Sequence, residues 1–254
     1  MKRLLLFIVF LLTPLAAHGQ TISLVADSSS TVACTNGVCT TASAATFTCT
    51  ITNAVAAGDL VWMAFKFGAN RTFVSATDSI GGNTYFQGTG FFGDEHGSVY
   101  SVLTNGTAVA IVITVTIGGG NSGGATAVCG AFNSSTGWPT GSGAVDVIAP
   151  TGTATSAAAA TGTLTTTGDV RLILSFLGLG NPRTVTKDTG FSDLAVPATT
   201  NIAQHAQYRV TSAAFNETVD FTLSSSTSWF ILADSFKPNA PAATAKPRSP
   251  VIIQ

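Results

Sequence analysis

An all-β protein, a jelly-roll-like antiparallel β-sandwich with pseudo-repeated halves, is what this sequence predicts, and three observations predict it. Several short segments alternate strictly between apolar and hydroxyl residues, the period of a half-buried strand. Two segments, Asp59 to Phe67 and Val170 to Leu177, are nearly continuous apolar runs, as suits central strands covered on both faces. Finally, the same signals recur in the same order about 110 residues apart, beginning with Gly58-Asp59 and again with Gly168-Asp169. No segment holds a helical period for three turns.

The chain starts with Lys2 and Arg3, an unbroken apolar run from Leu4 to Leu12, Pro14, and the small residues of Ala17-His18-Gly19. This is the grammar of an export signal, expected over residues 1–19 with Gln20 as the new N-terminus. Nine apolar residues are about half of the ~20 that a bilayer-spanning helix needs, so membrane insertion after signal removal is not expected. A secreted or periplasmic protein is. The four cysteines are an even number, which in an oxidising compartment reads as two disulfides. In Cys34-Thr35-Asn36-Gly37-Val38-Cys39, Asn-Gly is a preferred two-residue hairpin turn. It sets Cys34 opposite Cys39 in a closely spaced pair. Cys49 and Cys129 are left to pair across the fold. No second Cys or His pair has zinc-like spacing to complete a metal site.

Thr46 to Thr52 alternates, with Phe47, Cys49 and Ile51 facing inward; Ile111, Ile113, Val115 and Ile117 do the same. Further strands are expected at Thr21 to Ala26, Val74 to Asp78, Thr84 to Thr89, Ser98 to Leu103, Ala125 to Phe132, Val145 to Ile148, Ala203 to Val210, and Trp229 to Phe236. Val219, Phe221 and Leu223 mark one more. In the repeat, Tyr100-Ser101-Val102 matches Tyr208-Arg209-Val210, and Ala125 to Phe132 matches Trp229 to Phe236. Thr151 to Thr161 reads as an interdomain linker or a long surface crossing. One domain over residues 20–237, with halves at about 46–136 and 163–237, is favoured over two tandem sandwiches, because a half alone is a small core. From 238 to 254 the Pro- and Ala-rich composition reads as a flexible tail.

The Gly-Asp-apolar strand, Thr77-Asp78-Ser79 with Gly82-Asn83-Thr84-Tyr85, the Ile113-Thr114-Val115-Thr116 strand and Ala144-Val145-Asp146-Val147 resemble exported bacterial β-sandwich proteins of jelly-roll type. Related patterns occur in phage-associated surface modules. The resemblance covers most of residues 46–237 and implies a sandwich; it carries no catalytic residues over.

Charged residues are only 9% of the chain, against about 25% in an ordinary soluble protein. Loss of Lys2 and Arg3 takes the basic count from 11 to 9 against 12 acidic residues, a formal charge of −3. Without a basic patch, nucleic acid and anionic membranes are not expected partners. The richest loop, Gly88 to Gly97, carries Phe91, Phe92, Asp94, Glu95 and His96. Aromatic faces there could stack on sugar rings while the acids accept hydroxyl hydrogen bonds or hold Ca²⁺, the one cofactor with any support. The same loop could equally fold its aromatics back on the sandwich. Trp138 lies in a Ser/Thr/Gly/Pro loop and is either a stacking platform or a cap on the core. Trp62 and Trp229 belong to strands, and Asp78, Asn83 and Asp188 read as turn-formers.

Beyond residue 19 the histidines are His96 and His205 and the glutamates Glu95 and Glu217. No Gly-x-Ser-x-Gly elbow precedes a helix, no closely spaced acid pair lies on one strand face, and there is no phosphate loop, dinucleotide fingerprint or zinc helix. The expectation is therefore a non-catalytic exported sandwich binding carbohydrate or another cell-surface ligand through Phe91, Phe92, Asp94, Glu95, His96 and Trp138. The alternatives are a self-associating subunit of an extracellular fibre or surface layer, for which low charge leaves strand edges unguarded, and a glycan hydrolase or lyase.

Overall fold

The computed structural model describes residues 20–27, 46–67, 71–90, 96–119, 126–194 and 202–242. The export signal, the Cys34–Cys39 hairpin, and most of the tail lie outside the described residues, as do Phe91, Phe92, Asp94 and Glu95. The regular structure of the rest is antiparallel β apart from a single 3-10 turn at Gly141–Ala144. One five-stranded sheet has the lateral order β1 (Ile22–Asp27), β8 (Thr126–Ser134), β3 (Leu60–Lys66), β6 (His96–Val102), β5 (Phe86–Gln87). A three-stranded sheet of β2 (Thr46–Ile51), β7 (Ile111–Gly119) and β4 (Arg71–Asp78) packs on it.

The second half is built on a seven-stranded sheet. Its order is β10 (Gly152–Ala160), β17 (Asp220–Phe236), β12 (Arg171–Arg183), β15 (Ile202–Thr211), β14 (Ser192–Asp193). Strands β9 (Val145–Ile148) and β13 (Val185–Lys187) also pair with β17, and β11 (Leu164–Thr165) pairs with β16 (Asn216–Glu217).

The internal repeat is visible in the pairing register. Leu60 on β3 lies between Val102 on β6 and Phe132 on β8. Leu172 on β12 lies between Val210 on β15 and Phe236 on β17. Each Gly-Asp turn thus launches the central strand of a sheet, and each Tyr-x-Val strand flanks it on the same side. The edge strands correspond too, since Phe86 pairs with Tyr100 and Ser192 with Tyr208.

Why the two apolar runs are apolar on both faces follows directly. Val61, Met63 and Phe65 of β3 face β2 and β7, whose Phe47, Ile51, Ile111, Ile113 and Val115 complete the first core. Leu60, Trp62 and Ala64 face the other way, onto Leu172, Leu174 and Phe176 of β12. Ile173 and Leu177 of β12 in turn enter the cores of the second half. Each central strand therefore needs cover on two sides, and the two strands cover each other. This contact between the halves forms one continuous buried cluster. Each large apolar side chain buried there contributes about 1.5–3 kcal/mol.

Cys49 and Cys129 are bonded, tying β2 of the three-stranded sheet to β8 of the five-stranded one across 80 residues of sequence. Several expectations change. The all-β antiparallel sandwich is present, with three strands facing five among the described residues, and jelly-roll topology is not confirmed by this strand order. Thr151 to Thr161 is not a linker: Gly152 to Ser156 pairs with the late part of β17 and Ala158 to Ala160 with its early part. Small residues with alternating hydroxyls resemble linker composition, but Ala and Thr serve equally well on an edge strand covered on one face. The two strands expected at Val219–Leu223 and Trp229–Phe236 are one strand of 17 residues. Its first-half counterparts, β7 and β8, stay separate and belong to different sheets.

Candidate functional site

The end of the first half that carries the Gly58-Asp59 turn presents a groove of about 490 Å³. Phe86 and Trp138 line it together with Thr84, Thr104 and Thr140, and Gly58, Gly137 and Gly141 bring backbone close to its surface. All three of these glycines have positive φ, at 91°, 72° and 68°, where a side chain would be strained. No lining residue is charged. Phe86 is half-buried, its ring 5.8 Å from that of Tyr100. Trp138 is only 3% exposed and its Nε1 donates to the Phe132 carbonyl at 3.0 Å. It is therefore no free-standing platform. It caps the seam between the halves and reaches the groove from that fixed position.

The turn beneath the groove is held by its own side chains. Asp59 accepts from the Ala56 backbone at 2.8 Å and from Asn133 Nδ2 at 2.9 Å, and Gly58 N donates to Leu103 O. Asp78 takes the Ile80 and Gly81 amides, both at 2.9 Å, while Asn83 Oδ1 takes those of Thr104 and Asn105. Asp188 accepts from Asp220 N at 3.3 Å, and burial raises its pKa. Asp78 has the Asx-type turn role expected of it, whereas the bonds from Asn83 and Asp188 tie distant segments of backbone together.

His96, the one candidate ligand residue of that loop among the described residues, starts β6 and is 3% exposed. Its ring stacks on Phe230 at 4.0 Å between centroids. His96 and Trp138 are not brought together. Trp138 lies at the Val102 end of β6, and His96 at the other end, some ~20 Å away along a strand of seven residues. His205 is buried, with Nε2 2.9 Å from Asp193, whose other oxygen is 3.0 Å from Lys187. Burial lowers its pKa, so the neutral imidazole is favoured. The remaining nitrogen, Nδ1, is buried and has no hydrogen-bond partner among the described residues. Among the described residues no group of three His, Cys, Asp or Glu is placed to hold a metal.

Sequence reasoning missed the strongest polar feature. Asp234 of β17 is fully buried in the seam between halves. It accepts from Trp62 Nε1 at 2.8 Å, from the hydroxyls of Ser98 and Thr89, and from Thr89 N at 3.1 Å. All three donor residues belong to the first half. Burial raises the carboxyl's pKa, and the hydrogen bonds pull only partly the other way. Gly88 is obligatory here, since a Cβ would collide with Ser98 Oγ and the Asp234 carboxylate. Tyr100 nearby is pushed up to about 12, by burial first and then by Asp234. The sequence signal was an acid inside an otherwise apolar run, Trp229-Phe230-Ile231-Leu232-Ala233-Asp234.

In comparisons with protein-family models, with curated proteins and with solved structures, none matched this chain. The resemblance to exported sandwiches therefore rests on turn and strand patterning alone. No helix among the described residues is long and apolar enough to cross a membrane.

Proposed function

We propose that this is an exported, non-catalytic binding module that takes a neutral saccharide in the groove between Phe86, Trp138 and the threonine hydroxyls. The composition of that groove carries the reading. A sugar ring offers an apolar C–H face, which stacks on an aromatic side chain, and equatorial hydroxyls, which pair with short neutral donors and acceptors. Phe86 supplies the first and Thr84, Thr104 and Thr140 the second. The lack of any acid in the lining argues against glycoside hydrolysis there, which needs two carboxylates. The Lys2-Arg3 start and apolar run support export. So does the Cys49–Cys129 disulfide, since such bonds persist in oxidising compartments.

Titration calorimetry against neutral oligosaccharides tests this. Phe86→Ala and Thr140→Val should each weaken binding by about tenfold or more, a loss of about 1.4 kcal/mol. Affinity should stay flat from pH 5 to 8 and with added salt, because no titratable side chain lines the groove. Unchanged affinity in both variants would remove the site from consideration.

A further inference from the structure

Gly58 lines the groove, and Asp59, the next residue, lines a second hollow of about 550 Å³. Its walls are aliphatic, built from Val25, Ala54, Val55, Ala56 and Ala108. Val109, which follows Ala108, is 68% exposed, more than any other large apolar side chain among the described residues. The hollow is preformed, because the two loops that frame it pack backbone to backbone. Val55 and Thr107 exchange both amide hydrogen bonds, and a Cβ on Gly106 would come within 2.6 Å of Val55 O. Polar groups in the lining are already paired. Asp59 accepts from Ala56 N and Asn133 Nδ2, and Thr107 Oγ1 accepts from Val109 N at 3.2 Å. An apolar occupant therefore strands none of these donors and acceptors.

The chain returns to this end of the molecule after β17. Asn239 N donates to Gly137 O and its Nδ2 to Thr136 O, while Asn239 O accepts from Thr136 Oγ1 at 2.7 Å and Gln20 Nε2 at 2.6 Å. Thr136 is three residues from Asn133, which lines the hollow, so the two are at most ~11 Å apart. Residues 239–242 are exposed. Residues 243–254, outside the described part, hold one run of large apolar side chains, Val251-Ile252-Ile253. The twelve residues from Asn239 to Val251 span about 37 Å in the extended form that prolines favour, roughly three times the separation to be crossed. Lys246 and Arg248 are the charges of that stretch, both positive, and Asp59 is the one ionisable residue in the lining of the hollow.

We propose that Val251, Ile252 and Ile253 of the same chain dock in this hollow. Branched aliphatic side chains complement walls of alanine and valine, and docking removes apolar surface of both from water. A tether this short holds the segment at an effective concentration of about millimolar, so even a weak contact is occupied. The saccharide groove is a separate surface, and the assignment does not rest on it.

Methyl NMR of the full chain tests the assignment. Nuclear Overhauser contacts should join the Ile252 and Ile253 methyls to those of Ala54, Ala56 and Ala108. A full-length variant carrying Ile252→Asp and Ile253→Asp leaves the hollow free. It should bind a synthetic Ser249–Gln254 peptide at least tenfold more tightly than the natural chain does. Ala54→Trp or Ala108→Trp, added to that variant, fills the hollow and should weaken peptide binding tenfold or more at an unchanged Tm. The proposal is overturned if the folded natural chain lacks these methyl contacts, if it takes up the peptide as tightly as the variant, or if both tryptophan variants keep full affinity. Sedimentation showing that the contacts form only between two copies of the chain would overturn it as well.

Discussion

Asp234→Ala should lower the free energy of unfolding by about 1–3 kcal/mol, the cost of leaving a buried donor unsatisfied. The variant strands Trp62 Nε1 in the seam, together with the hydroxyls of Ser98 and Thr89. Hydroxyls can rotate toward new partners, but the indole N–H is fixed by the packing of Trp62, so most of the penalty falls there. Asp234→Asn should be far milder, because its amide keeps an acceptor for Trp62 and can donate to either hydroxyl. The two variants also separate by pH. Burial raises the native pKa of Asp234 above the ordinary 3.8. Its contribution is then fully present below the unfolded pKa and is lost as pH rises through the native value. Stability of the natural protein relative to Asp234→Asn should thus be greatest in acid and decline as the pH climbs. Urea unfolding of both proteins across that range, with Asp234→Ala as the third curve, reads the sign directly. A gap that grows with pH would mean the carboxylate is stabilised as an anion, contrary to the account.

Asp146→Ala should cost about 3 kcal/mol or more, and more than Arg171→Met. Arg171 sits at the start of β12 with its side chain fully buried, while Asp146 is 20% exposed. Its Nε donates to Asp146 Oδ2 at 2.7 Å, Nη1 to Val170 O, and Nη2 to Thr167 Oγ1. Asp169 is 3.8 Å away but largely in solvent, and cannot replace Asp146. Deleting Asp146 leaves a guanidinium charge in the interior, which cannot shed its proton. Replacing Arg171 by an apolar chain of similar length lets Asp146 rehydrate and keeps the packing. Chemical denaturation of the two single variants and the double variant measures the asymmetry; equal costs would show that Asp146 contributes little beyond a surface pair.

How far the sequence reached depended on which quantity it encodes. Period-two alternation is local, so Phe47, Cys49 and Ile51 and the Ile111–Ile117 series fell on the inner faces expected of them. The Gly-Asp repeat revealed both central strands because each launches an apolar run that only a doubly covered strand can tolerate. What covers such a strand is non-local. Nothing in Leu60-Val61-Trp62 states that Leu60 and Trp62 face β12 rather than solvent or a ligand. Thr151 to Thr161 failed for the complementary reason: small residues suit a linker and an edge strand alike, and pairing with β17 decided it. Trp138 shows the same limit at the candidate site. Its polar neighbours suggested an exposed ring, whereas its indole N–H has a carbonyl acceptor on Phe132 and its body fills the end of the seam. Asp234 was visible only as an acid in the wrong place, and its partners come from 136 to 172 residues away.

The central claim is that two repeated halves form one body through the Leu60–Trp62–Ala64 and Leu172–Leu174–Phe176 faces, pinned by Asp234. Scanning calorimetry of the protein tests it most directly. One transition, with calorimetric and van't Hoff enthalpies equal, and displaced as a whole by Trp62→Ala, is the expected result. Two resolved transitions, of which Trp62→Ala moves only the one belonging to the first half, would contradict it.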